Sequence, residues 1–66
     1  MKNYLAFYGE YYYPSGGMED FIGDFDTIEE AIQYIEEHHK RERPDDLKWE
    51  WAWCHVYSIT EQMIVY

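Results

Sequence analysis

The sequence has a single cysteine, Cys54, among its 66 residues. An internal disulfide is therefore impossible, and the fold must depend on noncovalent packing. A domain of this length buries only about 60% of the surface that its unfolded chain exposes, so its core is small. A protein without disulfides suits a reducing compartment, and we expect a cytoplasmic location.

Basic residues are also scarce, since five lysines and arginines stand against 14 acids, which gives a formal net charge of −9. No lysine or arginine occurs between Lys2 and Lys40, whereas nine acids lie in that interval. The five remaining acids are matched by the five basic residues. Direct binding to nucleic acid or to an anionic membrane is disfavoured, because both are polyanions. A basic protein is the complementary partner.

Long apolar runs and low-complexity segments are absent from the sequence. No stretch approaches the roughly 20 apolar residues of a membrane span. We expect no secretory signal, because no basic and then apolar leader opens the chain. The sequence shows no repeat and no linker, which predicts one domain over residues 1–66.

Aromatic side chains are abundant, at 21% of the residues, and many lie in segments that favour strands. In NYLAFYGEYYY, Leu5 and Phe7 would share one face of a strand. Ala6 and Tyr8 would share the other face. The PSGG turn signal and the segment MEDFIGDF, with Gly23 as a candidate bulge, predict an antiparallel hairpin.

Residues 26–43 show the periodicity of an amphipathic helix. Thr27 and Glu30 fit a capping box, with Asp26 as the competing cap, and Pro44 would end the helix. Of the apolar stripe, we expect Ile32 and Ile35 to be buried against a sheet. The acids on the opposite, exposed side are Glu29, Glu30, Glu36 and Glu37.

KWEWAWCHVYSI alternates strictly, and MIVY returns after the turn TEQ, which lacks a glycine. Trp49, Trp51 and Trp53 would lie on one face of this third strand, with small side chains on the other. If the tryptophans are inside, they are ordinary core, and we expect this for at least part of the stripe. If the small residues are inside, the exposed rings require a partner or a dimer. The fold class is α+β, with the order β-β-α-β-β, about four antiparallel strands and one helix packed across them.

A metal site or a catalytic site is not expected from the histidines and the cysteine. His38 and His39 would point about 100° apart on a helix, while Cys54 and His55 would point to opposite faces of a strand. These residues also lack paired zinc-ligand spacing. Cys54 has no recognisable partner as a nucleophile. We predict no enzyme, no metal and no cofactor, and a metal-binding or ligand-binding protein is the weakest alternative.

The segment EYYYPSGGMEDF combines tyrosines with acids. Consecutive strand residues alternate faces, so at least one of the three tyrosines should be exposed. Tyrosine is an effective contact residue, since it offers a large area and a hydroxyl group at a low entropic cost. The predicted partner-binding residues are Glu10, Tyr12, Tyr13, Glu19 and Asp20. The alternative acidic face is formed by Glu29, Glu30, Glu36 and Glu37.

Residues 12–31, YYPSGGMEDFIGDFDTIEEA, resemble a pattern in small acidic proteins encoded by phages and prophages. In these proteins a Tyr-Pro-Ser-Gly-Gly turn precedes Asp-Phe, Gly, Phe-Asp-Thr and an acidic helix. The C-terminal segment WAWCHVYSITEQMIVY is similar to the tryptophan-containing strand and short hairpin with which they often close. The resemblance implies a phage setting and brings no catalytic residues.

These features predict a non-catalytic, phage-encoded protein that binds and inhibits a basic or nucleic-acid-binding host protein, such as a defence nuclease. The mechanism would be mimicry of nucleic-acid charge. The alternative is a small interaction or assembly module, in which the charge serves only solubility. A homodimer is expected because the core is small and the aromatic surface is large.

Overall fold

The computed structural model describes residues 1–10 and 20–66. Within these ranges the elements follow the predicted order: β1 (Tyr4–Glu10), β2 (Phe21–Phe25), α1 (Ile28–Glu42), β3 (Ala52–Ser58) and β4 (Met63–Ile64). The predicted α+β class is confirmed. The PSGG turn and the three consecutive tyrosines lie outside the described residues.

The four strands form one antiparallel sheet in the order β2-β1-β3-β4. The long central pair runs in continuous register from Tyr4 opposite Ser58 to Glu10 opposite Ala52. A shift of register interrupts the pairing of β1 with β2, where Ala6 lies opposite Gly23 but Phe7 lies opposite Phe21. The extra residue is therefore next to Gly23, where the sequence suggests a bulge.

Helix α1 begins and ends at the predicted signals. The Thr27 side chain accepts a hydrogen bond from the backbone N–H of Glu30 at 3.1 Å, so Thr27 is the cap. The competing Asp26 lies 3.8 Å from the Lys2 ammonium group instead. The helix ends at Glu42, two residues before Pro44. In the described ranges, no helix has the length and apolar character to cross a membrane.

The core lies between α1 and one face of the sheet, and much of it is built from small side chains. Its buried apolar residues are Ala6, Tyr8, Ala31, Ile35, Ala52 and Val56. Ile35 is only 1% exposed, as expected. Ile32, by contrast, is only half-buried. It lies at the edge of the helix stripe, which is centred on Ala31 and Ile35.

The tryptophan segment differs from the strict alternation that its sequence predicts. Strand β3 begins only at Ala52, because the Asp46 carboxylate accepts hydrogen bonds from the backbone N–H groups of Glu50 (2.8 Å) and Trp51 (2.9 Å). Trp49 has a left-handed φ of 57° and packs against the core from outside the sheet. Within β3, the small residues face α1 and Trp53 faces the opposite side. The stripe is therefore divided, and only part of it contacts the core.

Candidate functional site

The predicted tyrosine and acid site is only partly within the described residues. Tyr12, Tyr13 and Glu19 lie outside them. Glu10 forms an ion pair with Arg43, whose Nε and Nη2 both donate to Glu10 Oε2. Asp20 is 7% exposed, and its Oδ2 has no hydrogen-bond partner in the part of the chain that the structure describes. Neither described acid of this set presents a free charge to solvent.

The alternative acidic face lies on the outer side of α1. Glu29, Glu30, Glu36 and Glu37 are all exposed there. At a rise of 1.5 Å per residue, these four carboxylates are distributed along about 12 Å of helix axis. Duplex DNA carries about one charge per 1.7 Å of axis, so the acidic face has roughly half the charge density of the duplex. We call these four residues the acidic face.

A shallow depression adjoins the acidic face and has an aromatic floor. It has a volume of about 220 Å³ and is lined by Phe25, Glu30, Gln33, Tyr34 and Glu37. The rings of Phe25 and Tyr34 lie 5.2 Å apart. The Arg41 guanidinium already lies 5.9 Å from the Tyr34 ring centre, which is the distance of a cation–π contact. Carboxylates beside a π face suit a cationic side chain.

The face of the sheet opposite α1 is apolar. A groove of about 440 Å³ is lined by Leu5, Phe7, Trp53, His55, Tyr57 and Ile64, which we call the open sheet face. Phe21 packs edge-on against Phe7, with ring centres 5.8 Å apart. The Trp53 indole lies directly over Gly9, where an added Cβ would come within 2.4 Å of the ring. Gly9 therefore lets the tryptophan lie against the strand.

A buried polar cluster ties the end of α1 to β1 and to the segment before β3. The Tyr8 hydroxyl lies 2.7 Å from His39 Nδ1, and His39 Nε2 donates to the backbone carbonyl of Asp46 at 2.7 Å. The Trp49 indole stacks on the His39 ring at 3.8 Å between ring centres. The Tyr8 hydroxyl and the Asp46 carbonyl thus engage both ring nitrogens of His39.

Tyr8 and Asp46, both members of this cluster, have shifted pKa values. Burial, followed by the nearby charge of Glu10, raises the pKa of Tyr8 to about 12, so its hydroxyl stays protonated. Burial also acts to raise the pKa of Asp46. The N–H groups of Glu50 and Trp51, with His39 and Arg43 nearby, outweigh that effect and lower it. The polar groups of this cluster hydrogen-bond to one another, and the cluster therefore fixes α1 to β1 and to the segment before β3.

His39 is the residue whose position sequence reasoning missed. The sequence suggests that His39 lies at the end of the helix, near the last carbonyls. In the structure, its side chain is buried between Tyr8 and Trp49. The available signal was periodicity, because His39 follows Ile35 by four residues and so continues the apolar stripe.

The other histidines and the cysteine point to separate environments. His38 packs against Tyr8, and burial lowers its pKa. His55 is exposed on the open sheet face. Cys54 is half-buried, and burial together with Glu36 raises the pKa of its thiol, which makes it a weaker nucleophile. Across residues 1–10 and 20–66, no group of three or more histidine, cysteine or acidic side chains is placed to hold a metal ion.

The comparison with protein families identifies the relatives of this chain. Residues 4–66 match the model of bacteriophage T4 protein Y07C. The chain belongs to this phage protein family. The match covers nearly the whole chain and confirms the phage relationship that residues 12–31 suggest, although it does not test that motif itself. No curated protein and no solved structure matches the chain.

Proposed function

We propose that this phage protein is a non-catalytic inhibitor that binds a basic host protein through the acidic face of α1. The observation that carries the proposal is the exposure of Glu29, Glu30, Glu36 and Glu37 on one helix surface. The host target would be a nucleic-acid-binding protein, such as a defence nuclease, in the host cytoplasm. Its cationic groove would accept the helix in place of nucleic acid.

The charges of the rest of the molecule support this location. Lys2 is the one lysine or arginine that precedes Lys40 in the sequence, and it interacts with Asp24 and Asp26. Its backbone N–H donates to Asp24 at 2.7 Å, and its ammonium group lies 3.8 Å from Asp26. Lys2 is therefore engaged away from the helix acids, whose charge attracts cations and speeds their association.

The aromatic depression adds a specific contact to this field. A partner arginine would replace the Arg41 guanidinium over Tyr34, between Glu30 and Glu37. Such a contact combines cation–π attraction with charge-assisted hydrogen bonds, both of which favour arginine over lysine. Charge would then provide the encounter rate, while this pocket would provide the specificity.

The decisive experiment measures the binding of a captured host protein to matched charge variants. The double variant Glu36→Gln/Glu37→Gln should slow association and flatten its salt dependence. Asp45→Asn/Glu61→Gln removes the same charge from exposed positions off the acidic face and should change little. Duplex DNA should compete with the wild-type protein for the partner, because both would occupy one cationic groove.

The rival location and the alternative function have their own outcomes. If Glu10→Gln/Glu19→Gln/Asp20→Asn or Tyr12→Ala weakens binding while the helix variant does not, the contact surface is the first hairpin. If neither set of acid substitutions changes the binding of the partner at any salt concentration, the hypothesis of charge mimicry is wrong. The protein would then be an interaction or assembly module whose charge serves solubility.

A further inference from the structure

We infer that the open sheet face is a homodimer interface, on which a second copy of this chain packs sheet to sheet. The first observation is the distribution of apolar volume. The core under α1 includes Ala6, Ala31 and Ala52. The larger side chains Phe7, Trp53 and Tyr57 lie on the opposite face. No element within the described residues packs over them, although burying this face would stabilise the fold.

The second observation is the position of the charges. The acidic face lies on the outer side of α1, which covers the other side of the sheet. Two copies that meet through their open sheet faces therefore point their acidic helices in opposite directions. The net charge of −9 does not oppose this arrangement at short range. On the open sheet face, the described acid is Asp24, at the margin opposite Leu5, and it is bonded to Lys2.

The same chemistry selects a second copy over other occupants. For a basic protein, this face offers a single carboxylate, which lies at its margin. For a nucleic acid, it offers no lysine or arginine among the lining residues. An apolar, aromatic surface is instead complementary to itself under a two-fold axis. Two such sheets pack about 10 Å apart with interdigitating side chains.

The area of the face sets the expected strength. Two seven-residue central strands with shorter flanking strands cover roughly 400 Å² in projection. Two copies would then bury roughly 800 Å² in total, which is below the roughly 1,200–2,000 Å² of stable specific interfaces and in the range of weak, transient ones. The dimer should therefore be reversible, with a Kd in roughly the micromolar range. It would present two acidic faces, one on each outer side.

Sedimentation velocity tests this inference with the purified protein alone, so the result does not depend on the host partner. From about 1 to about 500 µM, the wild-type chain should shift from monomer to dimer. Leu5→Lys places a charge in the centre of the face and should raise Kd at least about 10-fold. His55→Glu changes an exposed side chain on the same face and should act in the same direction.

The matched control is Leu47→Lys. Leu47 is 86% exposed and lies in the segment after α1, away from the open sheet face, so this variant should dimerise like the wild type. Circular dichroism confirms that each variant is folded, and His55→Glu remains informative if Leu5→Lys unfolds. A wild-type protein that stays monomeric up to about 500 µM overturns the inference. An open-ended series of oligomers, or a dimer insensitive to both face variants, also overturns it.

Discussion

At the scale of single residues, backbone conformation explains two positions that sequence patterns alone do not. Trp49 and Gln62 have left-handed φ values of 57° and 55°. This region costs a residue with a Cβ about 1–2 kcal/mol, so surrounding contacts must compensate. Trp49 is held by stacking on His39 at 3.8 Å. Gln62 lies in the exposed turn before β4, where its backbone N–H donates to Ser58 at 2.8 Å.

Replacing Gln62 with glycine should therefore stabilise the protein. Glycine removes the left-handed strain but adds unfolded-state entropy of about 0.5–1 kcal/mol, which leaves a net gain of about 0.5–1 kcal/mol. Urea unfolding at a fixed protein concentration measures the difference. Gln62→Ala is the control, since it removes the side chain but keeps the Cβ. Equal stability of the two variants would show that backbone strain is not the cause.

At the scale of elements, the helix and its capping residues were predictable because their signals are local. Thr27, the acidic first turn and Pro44 fix the bounds of α1 within a few residues. The contribution of each stripe position was less predictable, since it depends on where the sheet meets the helix. Ala31, Ile35 and His39 are buried, whereas Ile32 is at the margin.

The two isoleucines of α1 should consequently differ in their contribution to stability. Ile35→Ala should cost about 2–5 kcal/mol, because it leaves a cavity among residues that cannot collapse into it. Ile32→Ala should cost about 1–2 kcal/mol, because this side chain is only partly removed from water. Chemical denaturation of both variants at one protein concentration tests this order. Equal losses would mean that α1 is rotated about its axis relative to the arrangement described.

The candidate sites at this scale were partly accessible from the sequence. Exposure of the acidic face followed from the 3.6-residue period, so its four glutamates were identifiable. Engagement of Glu10 by Arg43 was not identifiable, because these residues are 33 positions apart and meet only through the packing of α1 on β1. For the third strand, the sequence left two alternatives: either the tryptophans or the small residues face the core. The open sheet face corresponds to the second alternative.

At the scale of the whole molecule, the unequal distribution of charge has a consequence that needs no partner. Carboxylates crowded on one side of a small domain repel each other and favour the unfolded chain. Raising the salt concentration from about 20 to about 500 mM should screen this repulsion and raise Tm by about 2–5 °C. Differential scanning calorimetry gives the measurement.

Charge variants identify the source of this salt effect. In Glu36→Gln/Glu37→Gln the Tm should rise at low salt and depend less on salt, since two mid-helix charges are removed. In Asp45→Asn/Glu61→Gln, the Tm should keep more of the dependence on salt concentration that the wild type shows. A Tm that falls as salt increases would instead show that attractive pairs, such as Glu10 with Arg43, dominate the electrostatics of the fold.

The sequence by itself determined the class of the fold, the order of its elements, the bounds of α1 and the side of the helix that carries the charge. Each of these depends on local periodicity or composition. Tertiary structure alone decided the strand order, the burial of His39 and the face of β3 that forms the core. A helix can approach a sheet closely where the intervening side chains are small, and Ala6, Ala52 and Val56 provide such a surface. The larger rings of an alternating strand were therefore left on the opposite side, and only long-range packing could make that choice.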